Sequence, residues 1–198
     1  MKGIIMAGGR ASRLGGKKEK ALLKIGGKTL LSRAADALAV EGIDEILVAF
    51  TTNTPSTHEL AEKTGLSVFQ TGAEGYHEDI IELLKAFGPF TSLNVDVPFV
   101  GRQHVRRLLA GSGEESVAAV VPASIAIREP DADSVGDDGR GRRVIWVGLN
   151  YVTRRPRTSL LTFDDPMLTV NINTEEDLAF ARRVLANQRA QKSAEEPL

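Results

Sequence analysis

Three features of the sequence predict an α/β fold with a mostly parallel sheet and helices on both faces. Short, near-continuous apolar runs recur along the chain, as strands buried on both faces require. Between them stand segments with the 3.6-residue apolar period of amphipathic helices. The two kinds alternate, which implies parallel strands joined by right-handed crossovers. The 198 residues are enough for one domain with a sizeable core.

The first strand is expected at residues 3–7, where Ile4-Ile5-Met6-Ala7 leads into a glycine-rich stretch. A helix is expected over 29–40, since Leu30, Leu31, Ala34, Ala35 and Leu38 share one face. Further strands are expected at Glu45–Phe50, Ser67–Gln70, 91–95, 117–122, 143–148 and 168–172. Further helices are expected at 57–64, Tyr76–Phe87, Arg102–Ala110 and 174–187. Thr174 fits an N-cap, with Asp177 three residues on where a capping box prefers Glu or Gln. Residues 129–143 break the rhythm with Pro130, four aspartates, three glycines and three arginines, and read as a mobile, solvated loop, whose position before the strand at Val144 leaves a lid role open. Residues 188–198 read as a polar, frayed tail.

Composition narrows the function. A net charge of −1 and a sequence pI near 6.3 argue against nucleic acid or an anionic membrane as main partner. The absence of cysteine excludes disulfides, zinc thiolates and thiol nucleophiles. His58, His77 and His104 have no metal-ligand spacing. No apolar run reaches membrane-spanning length, and the N-terminus reads as a strand, so a cytoplasmic location is expected.

Chemistry concentrates at the ends of the expected strands. After the first come Gly8-Gly9-Arg10-Ala11-Ser12-Arg13, and then Lys17, Lys18, Glu19 and Lys20. A glycine-rich loop beyond a buried strand lets backbone N–H groups approach phosphate, while Arg and Lys supply charged donors. Spacing excludes both the dinucleotide fingerprint and the P-loop: Arg10 follows Gly8-Gly9, and Ala11 and Lys18 stand where the P-loop needs Gly and Ser or Thr. A second group is Asn94-Val95-Asp96-Val97-Pro98-Phe99, whose aspartate just past a strand can hold Mg²⁺ through a carboxylate. A third is Asn171-Ile172-Asn173-Thr174, where Asn171 is assigned to the site and Asn173 to structure as a helix cap. Asn53, Thr54 and Glu78 are candidates for base or ribose contacts, and Gly148 for close backbone approach.

These segments resemble the archaeal-type adenosylcobinamide-phosphate guanylyltransferases, within the MobA-like nucleotidyltransferase superfamily. The resemblance rests on Met6–Gly9, Glu19-Lys20, Asn53–Pro55, Gly75–Asp79, Gly148–Asn150 and Asn171–Thr174, and runs to about residue 185. The chain departs at Ala21, where the family carries Pro, and in a loop one residue longer, which makes Lys20 the best match to the family lysine with Lys17 and Lys18 as alternatives.

The resemblance implies a single three-layer Rossmann-like nucleotidyltransferase domain over residues 1–187. It implies transfer of GMP from GTP to adenosylcobinamide phosphate with release of pyrophosphate, in cobalamin assembly. Arg13, Lys20 and Asp96 would be catalytic, with Mg²⁺ on Asp96. Ala7, Gly8, Gly9, Arg10, Asn53, Gly148 and Asn171 would bind nucleotide. Expected partners are GTP and a corrinoid phosphate, with no nucleic acid and no stable membrane insertion; a homodimer is compatible with the sequence. Molybdenum-cofactor guanylyltransferase shares the loop and the Asp-x-Pro-Phe element and is the alternative. A sugar-phosphate nucleotidylyltransferase is third, and a nucleotide-binding regulator without catalysis is the reading from another class.

Overall fold

A computed structural model describes residues 1–9, 11–14 and 18–195. In chain order the elements are β1 (Lys2–Met6), β2 (Lys24–Ile25), β3 (Lys28–Thr29), α1 (Leu30–Leu38), β4 (Glu45–Phe50), α2 (Pro55–Lys63), β5 (Ser67–Gln70), α3 (Tyr76–Phe87), β6 (Phe90–Asn94), α4 (Arg102–Ala110), β7 (Ser116–Pro122), β8 (Val135–Asp137), β9 (Arg143–Val152), β10 (Thr158–Thr162) and α5 (Glu175–Glu195). One sheet runs β10-β7-β9-β6-β1-β4-β5, with β8 added alongside β9, and β2 and β3 form a separate hairpin.

β1 is parallel to β4 and β6, and β4 to β5. β9 runs antiparallel to β6 and β7. The mostly parallel α/β sheet matches the fold class that the sequence predicts. β1 is apolar from Ile4 to Met6 because it lies at the centre of three layers. Ile4 and Met6 pack with Leu47, Leu83 and Phe90 under α3. Ile5 and Ala7 pack with Leu31, Val48 and Leu93 under the other helices. Burial of each large aliphatic side chain contributes about 1.5–3 kcal/mol.

Several elements depart from expectation. Residues 168–172 are not a strand: Pro166–Thr169 form a 3₁₀ turn, closed by the Asp165 side chain accepting from the Met167 N–H at 2.9 Å. Pro166 has no N–H to give a ladder, and its fixed φ suits the first position of a turn. β10, a short strand with only two apolar residues in Thr-Ser-Leu-Leu-Thr, carries too weak a pattern to be predicted. β9 continues four residues past Gly148 to Val152. Gly148 sits at φ +78 where the β7–β9 register shifts, so it makes a bulge rather than a strand end. Residues 129–143, read as a loop, hold a 3₁₀ turn at Ala132–Ser134 and β8. The last helix continues to Glu195 rather than ending at Asn187.

β8 places the site. β6 pairs with β9 from Leu149 to Val152, whereas β8 pairs with it from Arg143 to Ile145. β9 therefore runs past the end of β6, and the gap at Trp146–Gly148 is a notch beside the carboxyl edge of the sheet.

His104 fixes the start of α4. Its Nδ1 accepts from the Gly101 N–H at 3.0 Å, and its Nε2 lies 3.2 Å from Asp165 Oδ2. Burial pushes the imidazole pKa down, outweighing the opposing pull of the Asp165 carboxylate. A neutral imidazole is thus favoured in the folded state, so its stabilising effect is full above the free histidine pKa and declines as pH falls through that range. His104→Gln should flatten the loss of melting temperature between pH 7.5 and 5.5; a loss as steep as in the unaltered protein would contradict this.

Candidate active site

The parallel strands β1, β4, β5 and β6 deliver their C-terminal loops to one edge, where open α/β sheets bind ligands. A cavity of about 310 Å³ lies there, lined among others by Ala7, Gly8, Gly9, Asn53, Asp79 and Asp96. Its floor is tied together by Thr51, whose hydroxyl donates to the Gly8 carbonyl at 3.0 Å and whose N–H donates to Thr54 Oγ1 at 3.1 Å. Thr51 also explains why residue 8 is glycine. A Cβ there would stand 2.5 Å from the Thr51 γ-methyl, whereas a Cβ on Gly9 would meet nothing within 4 Å among the described residues. Gly8 is packed against Thr51, and Gly9 has no such neighbour among the described residues.

Glu19 and Lys20 divide their work. The Glu19 carboxylate accepts from the backbone N–H groups of Ser56 and Thr57, at 2.9 and 2.6 Å, at the start of α2. A carboxylate at a helix N-terminus satisfies free donors and complements the dipole. This anchor holds Lys20, whose Nζ lies 2.6 Å from Asp96 Oδ2 and 2.5 Å from Asn173 Oδ1. Both ends of the Lys20–Asp96 pair are largely buried, with 15% and 16% of the side chain exposed.

The segment before α5 reaches the same place through one backbone bond, from the Ile172 N–H to the Asp96 carbonyl at 2.9 Å. Asn171 and Asn173 then flank the end of β6. Thr174 and Asp177 cap α5 reciprocally, the Thr174 N–H donating to Asp177 Oδ2 at 2.8 Å and the Asp177 N–H to Thr174 Oγ1 at 3.1 Å. Asp177 thus serves where Glu is usual.

A second cavity, of about 400 Å³, adjoins the first across Tyr76 and Asn94 and fills the notch beside β8. Arg13, Trp146, Gly148, Asn150 and Asn171 are among its lining residues. Trp146 is 38% exposed although it is the largest side chain present. Its indole is closed on one edge by Gly136 of β8, where an added Cβ would lie 2.6 Å from Nε1. Gly148 permits the close approach of Asn94, whose Nδ2 would stand 2.8 Å from a Cβ at that position. Tyr76 lies on the boundary, and Asn150 Nδ2 donates to its hydroxyl at 3.4 Å. Burial of that hydroxyl, helped by the Asp96 charge, pushes the phenol pKa up.

Among the described residues, four buried side-chain oxygens have no hydrogen-bond partner: Oδ1 of Asp79, Asn94, Asp96 and Asn171. All four residues line these two cavities. Buried polar atoms are normally satisfied, so such a concentration marks a place where something else supplies partners.

Comparison with known proteins identifies the family. Residues 3–191 match the MobA-like NTP transferase domain. The chain belongs to the MobA-like NTP transferase family. It is 26% identical, over 93% of its length and 97% of the relative's, to the adenosylcobinamide-phosphate guanylyltransferase of Methanocaldococcus jannaschii. Solved structures agree on the fold. A CMP:2-keto-3-deoxy-manno-octonic acid synthetase in complex with CTP superposes with a TM-score of 0.67 at 18% identity, covering 95% of this chain and all of that one. The 4-diphosphocytidyl-2C-methyl-D-erythritol synthase of Anaerococcus prevotii gives 0.67 at 15% identity, covering 93% and 97% of the two chains.

This transferase brings together most residues singled out in its sequence. Ala7, Gly8, Gly9, Lys20, Asn53 and Asp96 share the first cavity, and Arg13, Gly148 and Asn171 the second. Arg10 and Lys17 lie outside the described residues. Three assignments change. Asn173, assigned to structure, touches Lys20 and donates to Asp131. Thr54 is buried in the Thr51 turn. Glu78 is exposed, with its carboxylate folded against Gly75, while the neighbouring Asp79 is buried and lines the cavity. Among the described residues no group of three or more His, Asp or Glu side chains is gathered for a metal ion, and no helix is long and apolar enough to cross a membrane. Trp146 and Asp131 stand outside any motif spacing and carry no signal in the sequence, which marks Asn150 only as part of the Gly148–Asn150 segment, without a role of its own.

Proposed function

We propose that this protein transfers GMP from GTP to a corrinoid phosphate, adenosylcobinamide phosphate, releasing pyrophosphate. The observation that carries the reading is the Lys20–Asp96–Asn173 contact at the junction of two cavities, one under the Gly8-Gly9 loop and one beside Trp146. Two adjoining cavities suit a nucleotide and an acceptor meeting at one reacting atom. The 26% identity to a guanylyltransferase named for that acceptor supports the choice of substrate. The exposed face of Trp146 offers a large, flat acceptor an apolar contact.

The acceptor phosphate is a monoester with a second pKa of about 6, so near neutral pH it is a dianion that attacks without a general base. Its oxygen forms a bond to the α-phosphorus of GTP as the bond to the β-phosphate oxygen breaks, and pyrophosphate leaves. Catalysis then rests on alignment and charge neutralisation. The Gly8 and Gly9 backbone, Arg13 and Lys20 would hold the triphosphate and the leaving pyrophosphate. Mg²⁺ fits the donor set, since Asp96 keeps a buried, unpartnered Oδ1 and Asn171 a second oxygen. Asp96 would hold the ion, with nucleotide oxygens and water completing its shell. When bound, the ion supplies charge neutralisation at the phosphates.

Arg13 is engaged before nucleotide arrives. Its guanidinium pairs with Asp131 at 3.0 Å and with Asp133 at 3.7 Å. The triphosphate must compete with these exposed carboxylates, so the double variant Asp131→Asn/Asp133→Asn should bind GTP about two- to five-fold more tightly at low salt. The gain should shrink at high ionic strength. Equal or weaker GTP binding by titration calorimetry at low salt would contradict it.

Pyrophosphate release tests the proposal, with each of four NTPs crossed with cobinamide phosphate, molybdopterin and a sugar phosphate. Release with GTP and cobinamide phosphate is expected. Release with GTP and molybdopterin alone would instead support the molybdenum-cofactor reading.

A further inference from the structure

We infer that Asp79 selects guanine by accepting hydrogen bonds from the base edge. The inference rests on the proposal that the first cavity binds the nucleotide. Asp79 stands in the first turn of α3 and lines that cavity with Asn53, Ala73 and Gly75, which follow β4 and β5, whereas Asp96 follows β6, on the far side of β1 in the sheet order. If the triphosphate lies over Gly8, Gly9 and Lys20, the base falls at the Asp79 end.

Asp79 is 9% exposed, and its Oδ1 has no partner among the described residues. Among the described residues no lysine or arginine forms an ion pair with it. A helix N-terminus explains tolerance of a carboxylate in the first turn. It does not explain why that carboxylate is buried with an unfilled acceptor, which costs free energy unless a donor arrives.

The chemistry of the donors distinguishes the bases. Guanine presents N1–H and the 2-amino group side by side, matching the two oxygens of a carboxylate. Adenine places an acceptor, N1, at the corresponding edge. Uracil offers one N–H flanked by carbonyls, and cytosine an amino group beside an acceptor nitrogen. Repulsion of an acceptor by a buried carboxylate makes rejection as strong as selection. Glu78 is exposed beside it and is not placed for this role.

Equilibrium titration without acceptor tests the inference separately from the identity of the acceptor. The unaltered protein should bind ITP, which lacks the 2-amino donor, on the order of 10-fold or more weakly than GTP. In Asp79→Asn the side-chain amide can donate to the 2-oxygen of xanthine, so the variant should lose GTP affinity and gain XTP affinity, inverting the preference. A merely structural Asp79 would not move that ratio. Equal binding of GTP and ITP by the unaltered protein overturns the inference even if Asp79→Asn fails to fold, and so does an unchanged GTP-to-XTP ratio in the variant. Failure to bind any GTP would overturn the proposed function along with it.

Discussion

Asp96→Asn should lower pyrophosphate release at least about 100-fold with magnesium present, while the fold is retained. The amide oxygen can still accept from Lys20, which now sits 2.6 Å from Asp96 Oδ2, so the contact at the cavity junction survives. What disappears is the negative charge and the unpartnered Oδ1. Asp96→Ala should lose as much activity and also lower the melting temperature, because it leaves the largely buried Lys20 ammonium with Asn173 as its one remaining partner among the described residues. An Asp96→Asn rate unchanged at saturating magnesium would remove the metal-holding role from this residue.

The two glycines of the opening loop should fail differently. Gly8→Val puts a branched side chain where the Thr51 γ-methyl already lies, since even a Cβ would approach to 2.5 Å. The overpacking should cost about 1–3 kcal/mol, or roughly 2–10 °C in melting temperature. It should also displace the loop and cut GTP affinity at least about 100-fold, a loss of about 2.7 kcal/mol. Gly9→Val meets no neighbour among the described residues and should leave the melting temperature unchanged while still obstructing GTP. Differential scanning fluorimetry with calorimetric GTP titration separates the two. Equal melting temperatures for Gly8→Val and the unaltered protein would contradict the packing argument, and normal GTP affinity in both variants would contradict the phosphate-loop assignment.

Much of the parallel half of this protein is legible in its sequence. Ile4-Ile5-Met6 is apolar on both faces because helices cover both, and the residues that follow such a strand necessarily reach the ligand edge. That logic finds Gly8, Gly9, Asn53 and Asp96. It does not reveal the direction of a glycine Cβ, which depends on Thr51, 43 residues away. The antiparallel half is less legible. Gly148 reads as the end of a strand, but the register shift against β7 turns it into a bulge that admits Asn94. Asn173 reads as a helix cap; the cap is Thr174, which frees Asn173 to meet Lys20. The carboxylates that hold Arg13 come from residues 131 and 133, more than a hundred positions on, in a segment whose composition alone reads as loop.

Nucleotidyl transfer itself is tested most directly by following the label from GTP. With the unaltered protein, magnesium and cobinamide phosphate, [α-³²P]GTP should yield a labelled corrinoid together with unlabelled pyrophosphate, and [γ-³²P]GTP should yield labelled pyrophosphate and an unlabelled corrinoid. Label passing from the γ-position to the corrinoid, or no labelled corrinoid from either nucleotide, would contradict guanylyl transfer to that acceptor.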